Sequence, residues 1–226
     1  MSEEFRNAVD KLTGNNYQGK LCGTWLSIMV NIHSIFELGL EMKAFSEAVS
    51  NSPKPSPLSG YLPKYFVTFS RIQERLFAFR PAMDESSINF EAASIWRNAA
   101  MLYLWSLLEW PHISESPGTL AGVIQGAYID SIRRLGEISQ DSSVNKALCW
   151  PLIIIGCYAK DKANQNLIER RLLHISSHFK VGNALETYYI LRHVWAQPPE
   201  RRSPWVIHLS IRATNCWGNL IVTRLL

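Results

Sequence analysis

The sequence predicts an all-α protein, a bundle of stacked helical hairpins with no significant sheet. Three observations carry this: apolar residues recur at three- and four-residue intervals along most of the chain, strand-like alternation is nearly absent, and clusters of proline and glycine cut the chain into helix-length segments. The 226 residues are enough to bury a substantial core. Charged residues make up 19% of the chain, below the roughly one quarter of an average soluble domain. Lys and Arg total 23 against 19 Asp and Glu, a formal net charge of +4. With eight tryptophans, eight tyrosines and nine phenylalanines, the composition excludes a disordered tail and a polybasic nucleic-acid coat. Both of those need little apolar surface and much unbalanced charge.

The opening, Met1 to Asn16, is polar and charged, so it reads neither as a signal peptide nor as a transit sequence. Leu21 to Phe36 is the most apolar early stretch. Asn31 and His33 interrupt it, and it falls short of the roughly 20 residues a membrane span requires; it reads as a buried helix. Asn51 to Leu58 carries Pro53, Pro55 and Pro57, the pattern of an extended surface linker. In Tyr65 to Phe79 the apolar positions Tyr65, Phe69, Ile72, Leu76 and Phe79 share one face of a helix, with Arg71, Gln73, Glu74 and Arg75 largely between them. Ile88 to Trp110 carries few charges and predicts a deeply buried helix.

A further helix follows Ser116-Pro117-Gly118, with Thr119 as expected N-cap, and runs to Leu135 and Gly136. Val144 to Tyr158 predicts another, in which Pro151 must kink the helix or open a new one from its first turn. The last two, Ala163 to Phe179 and Ala184 to Trp195, are separated by Val181-Gly182-Asn183, which reads as a C-cap and turn. Gln197-Pro198-Pro199 breaks the pattern again before Trp205 and Trp217.

Motifs that carry chemistry are sparse. Cys22, Cys149, Cys157 and Cys216 are scattered, with no CxxC pair, which favours reduced thiols and an intracellular setting over a disulfide framework or a cysteine zinc site. His174 and His178 have the four-residue spacing of two metal-ligating imidazoles on a helix. Ile175 stands where a metalloprotease has its glutamate, and Arg171 would oppose a cation, so they read as surface histidines and no metal or other cofactor is assigned. His33 reads as a hydrogen-bonded core histidine. No GxSxG elbow, phosphate-binding glycine loop or dinucleotide fingerprint occurs. The doublets Arg133-Arg134, Arg170-Arg171 and Arg201-Arg202 are diluted by Glu137, Glu169 and Glu200 and read as solvated helix faces rather than a DNA-binding surface.

One stretch carries a resemblance. Ala147-Leu148-Cys149-Trp150-Pro151-Leu152-Ile153-Ile154-Ile155-Gly156-Cys157-Tyr158-Ala159 resembles the signature helix of the fungal-specific transcription factor domain, a Trp-Pro pair followed by an apolar run, a glycine and a small residue. Glu169-Arg170, Gly182-Asn183 and Val194-Trp195 continue the likeness, and upstream Arg97, Ala99, Leu102, Tyr103 and Leu104 fit the family's Arg-x-Ala-x-x-Leu-Tyr-Leu stretch. The motif residues expected to be structural are therefore Arg97, Trp150, Pro151, Gly156, Arg170, Gly182, Asn183 and Trp195. The likeness covers most of Ile88 to Trp195 and is looser outside it.

The resemblance implies an all-helical regulatory domain, nuclear in full-length relatives. On this division, N-terminal helices occupy residues 1–50, a Pro-rich linker 51–62, the regulatory-type domain 63–197 and a C-terminal extension 198–226, all in one compact domain. Family members carry six closely spaced cysteines that hold two zinc ions. Four scattered cysteines form no such cluster, so neither the zinc nor direct DNA binding carries over. The leading expectation is a stand-alone regulatory domain acting through a protein partner, a homodimer or a small apolar ligand, without nucleic-acid or membrane contact. The alternative is a cofactor-independent enzyme of fungal secondary metabolism, a cyclase or pericyclase such as a Diels-Alderase. It would be cytoplasmic and use an apolar pocket with His33, Tyr103 or His112 as hydrogen-bonding groups. A ligand-binding sensor without turnover would use the same pocket.

Overall fold

A computed structural model describes position 11 and residues 26–50, 62–81, 87–108, 117–198, 201–205 and 207. Among these are seven α-helices, one 3-10 turn and no strand: α1 (Leu26–Ser50), α2 (Leu62–Ala78), α3 (Ile88–Ser106), α4 (Pro117–Glu137), the turn Ser143–Ala147, α5 (Cys149–Tyr158), α6 (Lys162–Phe179) and α7 (Gly182–Trp195). The all-α class is as the sequence predicts. Consecutive pairs pack together as α1 with α2, α3 with α4 and α6 with α7, and the pairs stack through α3 and α5. The linker expected over Asn51 to Leu58 lies outside the described residues.

Each helix follows from its sequence. In α1, Ile28, Ile32, Ile35 and Leu38 form the buried stripe, and the helix continues to Ser50, well past the Leu21 to Phe36 stretch. Pro63 sits in the first turn of α2, where its missing amide costs no intrahelical bond. Its Phe69, Ile72 and Leu76 face inward, while Phe66, Val67 and Phe77 are exposed. Ser87 caps α3, its hydroxyl accepting from the Asn89 amide at 3.2 Å. That helix is buried on nearly every side, as its scarcity of charge predicts, but it ends at Ser106, short of Trp110.

Three local expectations need correction. Helix α4 begins at Pro117, so Thr119 lies inside it and is not its N-cap; proline is well suited to a helix start. The Val144 to Tyr158 segment is two elements, a 3-10 turn and α5, with Pro151 in the first turn of the second. Of the two outcomes open to Pro151, it opens a new helix and kinks none. At the other end of α6 the left-handed residue is Lys180, with φ 58° and ψ 33°, and Gly182 is the first residue of α7. The turn is thus made two residues earlier than the glycine.

Candidate functional site

The signature helix α5 is the structural centre. Nine of its ten residues, all but Tyr158, are buried, which its continuous apolar run dictates. Trp150 stacks on Trp96 of α3, ring centroids 5.2 Å apart and planes 14° from parallel. The Tyr103 ring meets Trp150 edge-on at 6.0 Å, then Trp205 at 6.2 Å, and Trp205 meets Phe36 of α1 at 6.2 Å. An aromatic column therefore joins α5, α3, α1 and the segment after α7. Such ring pairs add about 0.5–1.5 kcal/mol each beyond the area they bury.

Gly156 lets α7 approach closely. A Cβ there would lie 2.6 Å from both Leu191 methyl groups, and Leu191 is fully buried. The Gly156 carbonyl accepts from the Trp195 indole Nε1 at 2.9 Å, so two motif residues close the α5–α7 contact. The Tyr158 hydroxyl donates to the Leu102 carbonyl at 3.2 Å, tying α5 back to α3.

One arginine of each basic doublet, Arg134, Arg171 and Arg202, is drawn into the fold, while Arg133, Arg170 and Arg201 are exposed. Arg134 binds Asp130 and Glu91, each at 2.7 Å, and Arg133 binds Asp130 and Glu137. Asn98 donates to the same Asp130 at 2.9 Å and accepts from Arg97 at 3.3 Å. Burial works to raise the Asp130 carboxyl, but hydrogen bonds from Arg134, Arg133 and Asn98 outweigh it and hold it below the ordinary carboxylate range.

Arg171 corrects the solvated-face expectation most plainly, because it is only 3% exposed. It donates to the Leu135 and Ile138 carbonyls at 2.8 Å, to the Ser139 carbonyl at 3.2 Å and to Asn145 Oδ1 at 2.9 Å. It thereby satisfies carbonyls at and just beyond the end of α4, which no intrahelical amide can reach. Burial pushes its guanidinium below the usual arginine range. Arg202 does the same at the ends of α5 and α7, donating to the carbonyls of Gln197, Trp195 and Ala159. Arg170, by contrast, is exposed.

Comparison with known proteins fits this scaffold: the fungal specific transcription factor domain matches residues 1–218. The chain belongs to that family. No curated protein and no solved structure matches the chain. The family match extends well beyond Ile88 to Trp195 and takes in the aromatic column from Phe36 to Trp205.

Within this fungal transcription factor domain, Trp150, Pro151 and Gly156 are buried on α5 and Trp195 bonds to it, whereas Arg170 and Gly182 are exposed. The hydrogen-bonding candidates are dispersed among different settings. His33, on α1, is half-buried with its Nε2 3.3 Å from Glu37 one turn on. Tyr103 is fully buried within the aromatic column, and burial pushes its hydroxyl well above the usual tyrosine range. His112 lies outside the described residues. An open groove of about 390 Å³ runs between α6 and α7, lined by Lys162, Gln165, Glu169, Tyr188, Arg192 and Trp195. Tyr188 donates to Glu169 across it at 2.8 Å. Its walls are mostly polar, and neither His33 nor Tyr103 lines it.

The described cysteines do not fit a zinc cluster. Cys149 and Cys157 are buried on α5, Cys157 donates to the Ile153 carbonyl, and burial pushes the Cys149 thiol up to about 12. A zinc-binding sulfur is a thiolate. Cys22 and Cys216 lie outside the described residues.

Two residues that the sequence reading missed as structural or site groups become visible only in three dimensions. Arg171 had a signal, since it falls among Ile168, Leu172 and Ile175 on the buried stripe of α6, where an arginine needs partners. Asp141 had none. It stands beside His174 because the chain turns back after α4, with its Oδ1 3.3 Å from His174 Nε2.

Proposed function

We propose that this domain is a transcriptional regulator's control module that acts through protein partners and does not read bases itself. The observation that carries the reading is the family match over residues 1–218. The partners of four of the six doublet arginines favour the second half, while Arg170 and Arg201 stay exposed. Arg133 and Arg134 are neutralised by Asp130, Glu91 and Glu137, and Arg171 and Arg202 are spent on backbone carbonyls. Phosphate binding needs arginines whose charge is available at the surface. The place of action is the nucleus. Among the described residues no helix is long and apolar enough to cross a membrane.

The test is to tether the chain to a heterologous DNA-binding domain in a fungal host carrying a matched reporter. Reporter output is expected to change relative to the DNA-binding domain alone, while the untethered chain leaves free DNA unshifted in a gel. An unchanged reporter at equal nuclear abundance overturns the regulatory reading. A DNA shift by the chain alone overturns the indirect one.

A further inference from the structure

We infer that Asp141, His174 and His178 form a surface site for a divalent transition metal of the zinc type. The two imidazoles are one helical turn apart on α6, their rings stacked at 4.9 Å and 15° from parallel. One ligand atom from each of the three residues lies within 4.8 Å of the others. A tetrahedral zinc site with bonds of about 2.0–2.1 Å places its ligand atoms about 3.3 Å apart. The His174–Asp141 pair has that spacing already, at 3.3 Å. The remaining adjustment falls to His178 and Asp141, both exposed.

Two further observations make this more than a chance trio. His174 Nε2 is buried, and its approach to Asp141 Oδ1 at 3.3 Å is not aligned as a hydrogen bond, although buried polar atoms in folded proteins nearly always have one. The backbone that carries Asp141 is also held in place. The Asn145 amide donates to the carbonyls of Ser139, Gln140 and Ser142 at 2.8–2.9 Å, and Arg171 clamps the Ser139 carbonyl from α6. The carboxylate and the two histidines are thus mounted on elements locked together, the preorganisation that a metal site requires.

Two imidazoles and one carboxylate suit zinc and its neighbours, whereas calcium and magnesium prefer all-oxygen sets. Three protein ligands leave a fourth position for water or for a donor from a partner. Phe179 meets both histidine rings edge-on, at 6.0 and 4.7 Å. Lys146 lies over that phenylalanine, 5.2 Å from its centroid. Its charge weakens the site, and so does that of Arg171, one turn before His174.

Isothermal titration of the whole chain with Zn2+ is expected to show one site per chain at neutral pH. His178→Ala and Asp141→Asn, both at exposed positions and checked for folding by circular dichroism, are each expected to weaken it by roughly tenfold or more. Co2+ in place of Zn2+ is expected to give visible bands of a tetrahedral nitrogen–oxygen site with no thiolate charge transfer. Unchanged affinity in either variant, absence of binding by the wild-type chain, or a thiolate spectrum overturns the assignment.

Discussion

Lys180 carries the sole positive φ among the described non-glycine residues. A left-handed conformation brings the Cβ of an L-residue against the carbonyl that follows, a strain of roughly 1–2 kcal/mol that glycine escapes. Lys180 is exposed and contributes little packing. Lys180→Gly is therefore expected to stabilise the fold by about 0.5–1 kcal/mol, the greater freedom of glycine in the unfolded chain offsetting part of the gain. Urea denaturation at neutral pH measures it, and a loss of stability would show that the lysine makes a contact worth more than its strain. The Asp130 carboxylate accepts from Asn98, Arg133 and Arg134. Its carboxyl is held low in the fold, so its contribution is present above the unfolded value and is lost as the pH falls through the folded one. Asp130→Asn is expected to be clearly less stable than the wild type at pH 7. The gap should close as acid is added below about pH 4, and a pH-independent gap would point to shape rather than charge.

At the scale of helices, α5 owes its position to the side chain it lacks at Gly156 as much as to its apolar run. Gly156 leaves room for Leu191, whose methyl groups a Cβ would approach to 2.6 Å and which is itself fully buried. Gly156→Leu is expected to cost about 1–3 kcal/mol through overpacking, read as a lower denaturation midpoint. Unchanged stability would mean that α7 can slide on α5. This contact was legible in the sequence, because a glycine inside an apolar helix has few uses other than close approach. The ends of helices were less so. Thr119 looked like an N-cap because only spacing and residue type were available, while Pro117 had already fixed a helical φ two residues earlier. Gly182 looked like the terminator of α6, yet the chain turns at Lys180, because asparagine and glycine at 182–183 can enter a new helix as easily as leave an old one.

For the molecule as a whole, the seven described helices could be foreseen from periodicity, which depends on residues close in sequence. What could not be foreseen joins residues far apart: Asp141 beside His174, Arg171 on the carbonyls beyond α4, and Trp205 in the core. Charge counting treated Arg171 as one more surface arginine. Its burial follows from the path of the chain after Glu137, and no local pattern records that path. The candidate metal site was half visible, as two histidines at helical spacing, and lacked the third ligand for the same reason.

Trp205 sits where a Cβ on Gly39 would collide with its six-membered ring. The first described helix is thus shaped to receive a side chain from near the other end of the chain, and neither surface is dry until both are present. A contact of that sequence separation raises the contact order and carries a large loop-closure cost before it yields any gain. During synthesis, therefore, α1 must wait with its groove open until Trp205 has left the ribosome. Apolar surface left uncovered in this way during folding is prone to aggregation.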